Sequence, residues 1–593
     1  MPSTKPDVTP PLPARARDEM RGEIRDKCRA LYGEARGDAC ATRLMALLES
    51  FRAETPAPVP VDPAARVDER DVMLITYGGS LNAPGELPLQ TLRRFLRRHL
   101  RGVISAVHIL PFFPYSSDDG FSVIDYTAVD PALGTWDDVR RLGDDFDLMF
   151  DLVINHISAH SEWFRRFKAG DPAYADFFIR VDPGADLSAV VRPRTLPLLT
   201  PVETARGVEH VWTTFSDDQI DLNFANPDVL LRMVEVLLFY IRQGMTFLRL
   251  DAIAYLWKQI GTGCIHLGQT HTVVRLLRDV FDAVAPQVAI ITETNVPHEE
   301  NISYFGNGWN EAQLVYQFPL PPLTLHAFAT GDATHLSRWA AGLARPSEAT
   351  TFFNFTASHD GIGVRPLEGI LPRAEIERLV ERAQRHGGAV SYKANSDGSQ
   401  SPYELNINYF DALSDPASAE PPEKQVSRFL ASQAIALALA GMPGIYIHSL
   451  LGSRNWNAGV ARTGRLRTIN REPLDAAGVE RALADPASLR ARVFAGYRRL
   501  IAARTAEPAF HPGGEQRVLA LDPAIFGLLR TSPDGQSAVA ALHNVRDATV
   551  QIDLGAIEGA EIDGWRDLLS GESFARGAAV TLAPYQVRWL KRS

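Results

Sequence analysis

This 593-residue chain carries near its middle the stretch Phe247-Leu248-Arg249-Leu250-Asp251-Ala252-Ile253-Ala254-Tyr255. Its large apolar residues predict a buried β-strand. Side chains alternate between the two faces of a strand, so Arg249 and Asp251 share one face. Two charges are costly in a core unless they are paired, but at the C-terminal end of a barrel strand the same pair suits catalysis. There Asp251 would be a nucleophile kept ionised by Arg249; an ion pair that only closes off a barrel is the alternative.

Eight short apolar segments alternate with helical patterns and predict strands. They are Val72–Tyr77, Ala106–Phe112, Leu148–Asn155, Phe247–Asp251, Ala289–Glu293, Gln313–Phe318, Thr351–Phe355 and Ile445–His448. Eight strand-helix repeats favour a closed parallel (β/α)8 TIM barrel over an open sheet. Several of the predicted strands end in polar residues, at the end of the barrel where such folds place their chemistry.

The sequence outside these repeats predicts further parts. Residues 1–70 form an N-terminal extension, which is Pro-rich and disordered at its start and helical from Arg17 to Arg52. Residues 71–510 form the catalytic barrel. Its connections at about 157–224 and 361–422 are too long for simple loops, and we interpret them as inserted subdomains above the barrel mouth. Residues 511–593 show short alternating strands with turn residues, which predict a C-terminal antiparallel β domain.

Composition argues against several kinds of partner. The chain has 61 Lys and Arg against 71 Asp and Glu, a formal net charge of -10 that disfavours nucleic acid and anionic membranes. The cysteines, Cys28, Cys40 and Cys264, have no metal-ligand spacing and form no disulfide framework, which favours a reducing compartment. The N-terminus lacks the apolar core of a signal peptide, and no apolar run is long enough to span a bilayer. We therefore expect a cytoplasmic protein.

Three carboxylates stand at predicted strand ends: Asp251, Glu293 and Asp360. Retaining glycoside chemistry uses such a set. One carboxylate attacks the anomeric carbon, a protonated second serves the leaving oxygen, and a third supports the positive charge that develops. The set counts against a barrel that only binds carbohydrate or a partner chain, because binding alone does not need three converging charges. Side chains fill all these roles, so the sequence calls for neither a cofactor nor a metal.

Four ordered segments then carry a family resemblance. They are Asp151-Leu-Val-Ile-Asn-His156, Phe247-Leu-Arg-Leu-Asp251, Ile291-Thr-Glu293 and Ala357-Ser-His-Asp360. They resemble the signature segments of the α-amylase family of glycoside hydrolases (family 13), over roughly residues 71–510. The resemblance implies that Asp251 is the nucleophile, Glu293 the general acid/base and Asp360 the transition-state stabiliser.

The same resemblance places Arg249, His156 and His359 around the bound glucose. For either histidine alone, a core residue with satisfied hydrogen bonds is the alternative interpretation. With all four segments present, we expect both to line the glucose subsite.

Further segments resemble the sucrose phosphorylase branch of this family. They are Val107-His-Ile-Leu-Pro-Phe-Phe-Pro114, Ser117-Asp-Asp-Gly-Phe121, Trp212-Thr-Thr-Phe-Ser-Asp-Asp-Gln-Ile-Asp221 and Ile469-Asn-Arg471. The resemblance implies glucose contacts by Asp118, Phe121, Gln219, Tyr255 and Arg471, with Asp118 as the partner of Arg471. An aromatic ring such as that of Phe121 suits this place because it covers the apolar C–H surface of a sugar.

A phosphorylase must also bind phosphate beside the anomeric carbon, which favours a planar arginine fork. Arg192-Pro-Arg194, in the first insert, resembles the Arg-Pro-Arg segment of the branch. The resemblance implies that Arg194 binds phosphate. A solvated loop arginine is the alternative.

The acceptor region departs from the sucrose phosphorylases. Val191 stands where they usually carry Tyr, and Glu404 where they usually carry Gln. The run that follows Glu293 and the run 391–410 resemble the glucosylglycerate phosphorylases of the same branch. The resemblance implies a glycerate acceptor, with Lys393 reading its carboxylate and Tyr403 and Glu404 binding its hydroxyls.

The expected reaction is the reversible conversion of 2-O-α-D-glucosyl-D-glycerate and phosphate to α-D-glucose 1-phosphate and D-glycerate by double displacement. The expected partners are these small molecules alone. A sucrose or glucosylglycerol phosphorylase is the first alternative, and an α-glucoside hydrolase or transglucosidase is the second.

Overall fold

The computed structural model describes residues 17–56, 61–395, 399–557 and 564–592. Residues 1–16, which the sequence predicts to be disordered, lie outside these ranges. Within them, no helix combines the length and the apolarity that crossing a membrane requires.

Eight parallel strands close into a barrel, which confirms the predicted TIM barrel. They are β1 (Met73–Thr76), β2 (Ala106–Ile109), β3 (Asp147–Val153), β4 (Met245–Asp251), β5 (Ala289–Thr292), β6 (Leu314–Tyr316), β7 (Thr351–Phe355) and β8 (Met442–Tyr446). Each strand pairs with the next one along the chain, and β8 returns to pair with β1. All of β5 and β7 is buried, as expected for strands covered on both faces.

Helices between the strands and after β8 complete the repeats. The longer ones are Pro88–His99, Trp136–Gly143, Pro227–Arg242, Gly268–Val284, Leu320–Thr330, Thr334–Ala341, Arg373–Arg385, Pro422–Ala438, Ala476–Ala484 and Leu489–Thr505. Shorter ones are Glu162–Lys168, His298–Ile302, Tyr409–Leu413, Ile447–Leu450 and Asn457–Thr463.

The helix that leads into β4 shows why these segments fold as they do. Asn226 caps it by accepting a hydrogen bond from the backbone N–H of Asp228 at 3.1 Å, and Pro227 occupies the first turn, where no N–H is needed. The chain then turns at Gly244, whose φ of 89° an L-residue seldom adopts, and enters β4 directly.

The two long connections form small sheets of their own. In residues 157–224, Leu199–Thr204 and Gly207–Trp212 form an antiparallel hairpin, and Gln219–Asp221 pairs antiparallel with His156–Ser158. In residues 361–422, the antiparallel sheet has the order Ile362–Gly363, Gln400–Asn406 and Ala389–Ala394. A two-stranded pair of Leu81–Asn82 with Leu474–Asp475 lies elsewhere in the chain.

Two further parts flank the barrel in sequence. An N-terminal helical hairpin, α1 (Arg17–Tyr32) and α2 (Glu34–Glu54), shares the apolar core of the barrel through residues such as Ile24 and Leu48. After residue 511 an antiparallel six-stranded sheet has the order Glu515–Val518, Ile525–Thr531, Ala538–Asn544, Val587–Arg592, Gly564–Asp567 and Ser573–Ala575. Val550–Asp553 and Ala579–Leu582 pair beside it, and part of this region has its own core, which includes Trp565.

Candidate active site

The charged C-terminal end of β4 contacts a carboxylate of the neighbouring strand β3. The parallel register sets Arg249 opposite Asp151 and Asp251 opposite Val153. Arg249 Nη1 contacts the carboxylates of both Asp151 and Asp251, the latter at 2.9 Å, and Arg249 is only 1% exposed. His108 on β2 adds a contact to the other oxygen of Asp151 at 2.6 Å. The buried arginine therefore lies between two carboxylates, which offset the cost of burying its charge.

Glu293, which follows β5, lies near the same arginine that binds Asp251. Its Oε2 accepts a hydrogen bond from the backbone N–H of Ala252 at 3.2 Å and lies 3.8 Å from Arg249 Nη2. Ala252 itself has a φ of 50°, a left-handed conformation that turns the chain directly after Asp251. This turn directs the Ala252 N–H toward Glu293. The backbone immediately after Asp251 is thereby hydrogen-bonded to the second carboxylate.

Asp360, which follows β7, is flanked by two arginines and a histidine. Arg467 Nη1 lies 2.6 Å from its Oδ1, and Arg471 Nη2 and His359 Nε2 lie at 3.8 Å and 3.5 Å. Burial alone would raise the pKa of Asp360, but Arg467, then His359 and Arg471, hold it well below the usual aspartate range. Asp360 is therefore ionised at neutral pH.

The other two carboxylates share a different electrostatic situation. Burial raises the pKa of Asp251 and of Glu293, and Arg249 opposes the rise at both. Arg249 donates a hydrogen bond to Asp251 at 2.9 Å but lies 3.8 Å from Glu293, so it favours the ionised form of Asp251 more directly. A buried, interacting pair of carboxylates retains a proton that its members would lose in water.

Arg467 is a second arginine at the site besides Arg249, and the sequence did not predict its role. Arg467 belongs to the cation-rich run that ends at Arg471, but its partners come from distant segments, and no local pattern predicts them. It donates to both oxygens of Glu404, at 3.0 and 2.9 Å, while Gly361 N–H donates to the same carboxylate at 3.0 Å. A Cβ at Gly361 would approach the Glu404 side chain to 2.6 Å, so only glycine fits here.

The predicted sugar-binding side chains form one wall. The rings of Phe121 and His359 stack with centroids 4.7 Å apart and planes at 3°. His156 Nε2 lies 2.9 Å from the carbonyl oxygen of Phe121, and Gln219 Nε2 donates to the same oxygen at 3.1 Å. Burial lowers the pKa of both histidines, so they are neutral hydrogen-bonding groups at neutral pH.

Arg471 is shared between two aspartates. Its Nη1 lies 4.0 Å from Oδ1 of Asp118, the predicted partner, and 2.6 Å from Oδ2 of Asp119, which the sequence did not predict. Both aspartates have positive φ, a strained turn that sends consecutive side chains in different directions. Asp118 is thereby left facing the cavity, and its neighbour holds the arginine.

One cavity at the C-terminal end of the barrel brings most of the predicted residues together. Its lining includes Asp118, Phe121, His156, Arg194, Gln219, Asp251, Tyr255, Glu293, His359, Asp360 and Tyr403. Unpredicted members of the lining are Phe215, Ala252, Ala254, Thr294, Asn295, Val296 and Arg467. Asn295 lies two residues after Glu293, and no motif in the sequence singled it out. Its Oδ1 is buried without a hydrogen-bond partner among the described residues.

Arg194 reaches this cavity from the first insert. Its guanidinium lies over the ring of Tyr403, 5.8 Å from the centroid. In the described ranges no carboxylate comes within ion-pair distance of it, whereas the guanidinium of Arg192 donates to the carbonyl oxygen of Leu196 in its own loop. Arg194 is thus a cation at the cavity without a protein carboxylate to neutralise it.

The remaining acceptor candidates are placed differently. Lys393 does not line the cavity and pairs with Glu368 Oε1 at 3.2 Å, because strand Ala389–Ala394 carries it to the far edge of the inserted sheet. Glu404 lines a smaller adjoining cavity together with Glu293 and Arg467. Its oxygens are already occupied, so this geometry gives no support for a direct contact of Lys393 or Glu404 with an acceptor.

A closed parallel barrel whose mouth gathers three carboxylates beside an aromatic wall defines a glycoside-active barrel enzyme. The family described as alpha amylase, catalytic domain, matches residues 101–360. The glucosylglycerate phosphorylase of Spirochaeta thermophila is 54% identical over 88% of this chain and 89% of its own length. That of Allomeiothermus silvanus is 50% identical over 96% and 99%.

A solved structure agrees with these relatives. The sucrose 6F-phosphate phosphorylase of Thermoanaerobacter thermosaccharolyticum superposes with a TM-score of 0.71 at 26% identity, covering 87% of this chain and 98% of that one. The chain belongs to the α-amylase family, within the group that contains the glucosylglycerate and sucrose phosphorylases.

Proposed function

We propose that this protein is a retaining glucosylglycerate phosphorylase. It converts 2-O-α-D-glucosyl-D-glycerate and phosphate reversibly to α-D-glucose 1-phosphate and D-glycerate. Relatives with this name match almost the whole chain at about half identity, whereas a sucrose phosphorylase of Agrobacterium vitis is 33% identical over 70% of it. The observation that carries the mechanism is the single cavity shared by Asp251, Glu293, Asp360 and Arg194.

In the first half-reaction, the Asp251 carboxylate attacks the anomeric carbon as the bond to the glycerate oxygen breaks. Glu293 gives its proton to that oxygen, so glycerate leaves as an alcohol and a β-glucosyl ester of Asp251 remains. Arg249 fits this step because it orients the Asp251 carboxylate and favours its ionised form. Asp360, kept anionic by Arg467, stabilises the positive charge that develops on the sugar ring.

In the second half-reaction, an oxygen of hydrogen phosphate attacks the same carbon and displaces the Asp251 carboxylate. Glu293, now ionised, accepts the phosphate proton and returns to its starting state. Two inversions at the anomeric carbon give overall retention, and the product is the α-anomer of glucose 1-phosphate.

Arg194 is our candidate for binding phosphate. Phosphate and glycerate occupy the acceptor side in turn and both are anions, so one unpaired guanidinium serves both half-reactions. The prolines on either side of the arginine loop stiffen it, which reduces the entropy lost on binding.

Trapping of the covalent intermediate tests this function. Glu293→Gln should still react with α-D-glucosyl fluoride, whose leaving group needs no proton, but should turn the ester over slowly. Intact mass spectrometry should show the protein carrying one glucosyl residue, and peptide mapping should place it on Asp251. Asp251→Asn in the same background is the control and should stay unlabelled; labelling elsewhere would contradict the proposal.

A further inference from the structure

The N-terminal hairpin of α1 and α2 packs against the two helices that flank β4 in the chain, Pro227–Arg242 and Gly268–Val284. Lys27 Nζ on α1 lies 2.5 Å from Asp279 Oδ2, whose side chain is almost fully buried in the second of these helices. Arg43 on α2 pairs with Asp228 Oδ1 at 2.5 Å in the first. The hairpin is therefore fixed to the barrel on both sides of the strand that carries Asp251.

The tip of the hairpin makes a contact of a different kind. Tyr32 ends α1, and the chain reverses at Gly33, whose φ is 75°. The Tyr32 ring lies 6.5 Å from that of Trp257, with an angle of 39° between the planes, and both residues are 8% exposed. The Tyr32 hydroxyl is buried and has no hydrogen-bond partner in the described ranges, so the ring makes this contact and not the hydroxyl.

Trp257 belongs to the segment 252–258, which follows the proposed nucleophile directly. This segment begins with Ala252, whose N–H binds Glu293, and contains Tyr255, which lines the cavity. Its end is Lys258, whose buried ammonium lies 2.6 Å from Asn155 Oδ1 and 2.5 Å from Asp221 Oδ2. The segment thus connects the acid/base, the cavity wall and the base of the first insert.

Little regular structure holds this segment in place. It contains one turn of 3₁₀ helix, Ile253–Tyr255, and no strand pairing. It is held by side-chain packing and by single hydrogen bonds, from Trp257 N–H to Thr270 Oγ1 at 3.2 Å and from His266 N–H to the carbonyl oxygen of Ala254 at 3.0 Å. Lys258 supplies the polar anchor. The buried side chains of Ile253 and Leu256 pack into the core of the barrel, and the ring contact of Trp257 with Tyr32 adds an apolar contact from outside the barrel.

We propose that the N-terminal hairpin positions segment 252–258, and that Tyr32 acts as a positioning residue through Trp257. Removal of the Tyr32 ring leaves space beside Trp257, and the segment then samples positions in which Ala252 and Tyr255 are displaced. A small displacement of groups around the reacting atoms lowers the rate of the chemical step much more than it lowers substrate affinity.

The test compares three variants of the full chain. Tyr32→Ala removes the ring, and Tyr32→Phe removes only the unpartnered hydroxyl. Leu48→Ala is the matched control, because Leu48 is fully buried in α2 but lies about 20 Å along that helix from the Gly33 turn. Hydrogen exchange of the peptides that span residues 252–258 is measured by mass spectrometry, and kcat and KM are measured well below the unfolding temperature.

We expect Tyr32→Ala to speed exchange in 252–258 and to lower kcat by about three- to tenfold, with KM within about twofold. Tyr32→Phe should match the wild type in both. Leu48→Ala should lower the unfolding temperature at least as much, yet leave kcat and the exchange of 252–258 unchanged. If Tyr32→Ala does not fold, Tyr32→Leu replaces it with the same expected direction.

Equal effects of Tyr32→Ala and Leu48→Ala would show that the hairpin only adds stability, and would overturn the proposal. Faster exchange in 252–258 with unchanged kcat would overturn it too. The kinetic part rests on the proposed phosphorylase activity, but the exchange measurement does not. An error in the substrate would therefore leave the exchange pattern intact, whereas an error in the positioning role would not.

Discussion

Arg467 donates to both carboxylate oxygens of Glu404, from Nε at 3.0 Å and from Nη2 at 2.9 Å. The same guanidinium turns Nη1 toward Asp360 at 2.6 Å. A side chain of the second insert thereby orients the cation that keeps Asp360 ionised. Glu404 is 1% exposed, and Arg467 connects its carboxylate to that of Asp360.

Glu404→Gln should destabilise the protein even though the two side chains have the same shape. The variant keeps an amide oxygen for one arginine N–H but leaves the buried guanidinium with a single carboxylate. We expect the free energy of unfolding to fall by about 1–3 kcal/mol, measured by urea denaturation. Glu368→Gln is the control: it breaks the ion pair with Lys393, where Glu368 is about half exposed, and should change stability by less than about 0.5 kcal/mol. Equal losses would contradict the coupling.

The pH dependence of glucoside cleavage should report the proton on Glu293. Burial raises its pKa, and cleavage needs the protonated form, so kcat/KM should fall as the pH rises through that raised pKa. We expect the descending limb above the usual glutamate pKa of about 4.3. With α-D-glucosyl fluoride, whose leaving group needs no proton, this limb should be absent from the glucosylation step. If kcat/KM fell at the same pH for both substrates, a group other than Glu293 would be responsible for the descending limb.

Much of this architecture was predictable, because it follows from the period of the apolar residues and the spacing of the polar residues at strand ends. The apolar strands gave the barrel, and the polar residues at their ends gave Asp251, Glu293 and Asp360. The sequence predicts the last strand at Ile445–His448, whereas the observed strand begins earlier and spans Met442–Tyr446. The difference arises because Pro443 and Gly444 are typical of a turn. In the structure, Pro443 pairs with Asn354 within the barrel.

Contacts between distant segments were not predictable in the same way. The sequence predicted Asp118 as the partner of Arg471, but two strained φ angles bring Asp119 closer to it as a second partner. Nothing in the local sequence joins Arg467 to Glu404, or Tyr32 to Trp257, because the two members of each pair lie far apart in the chain. Side-chain orientation in loops is set by such tertiary contacts and leaves no period in the sequence.

Arg194→Ala should weaken the binding of phosphate selectively. Since Arg194 has no carboxylate partner in the described ranges, its loss leaves no buried anion behind and should not unfold the protein. We expect KM for phosphate to rise by about tenfold or more, with a smaller change for glucosylglycerate, in initial-rate assays. Arg194→Lys should give an intermediate value because it keeps the charge without the fork. Arg180→Ala, at a solvent-facing arginine of the same insert, is the control, and an equal rise there would contradict the assignment.

Lys393→Ala should leave the acceptor site unaffected. The lysine pairs with Glu368 away from the cavity, so KM for glycerate in the reverse reaction should stay within about twofold of the wild type. The measurement is phosphate release at varied glycerate and fixed glucose 1-phosphate. A large rise in this KM would return Lys393 to the role that the sequence predicted for it.

The central claim is that glucose is transferred between phosphate and glycerate. The direct measurement is phosphate release from α-D-glucose 1-phosphate by the wild-type protein with D-glycerate, D-fructose, glycerol or water alone. We predict fast release with D-glycerate, much slower release with the other two acceptors, and almost none with water. Faster release with fructose or glycerol, or equal release with water alone, would contradict the assignment.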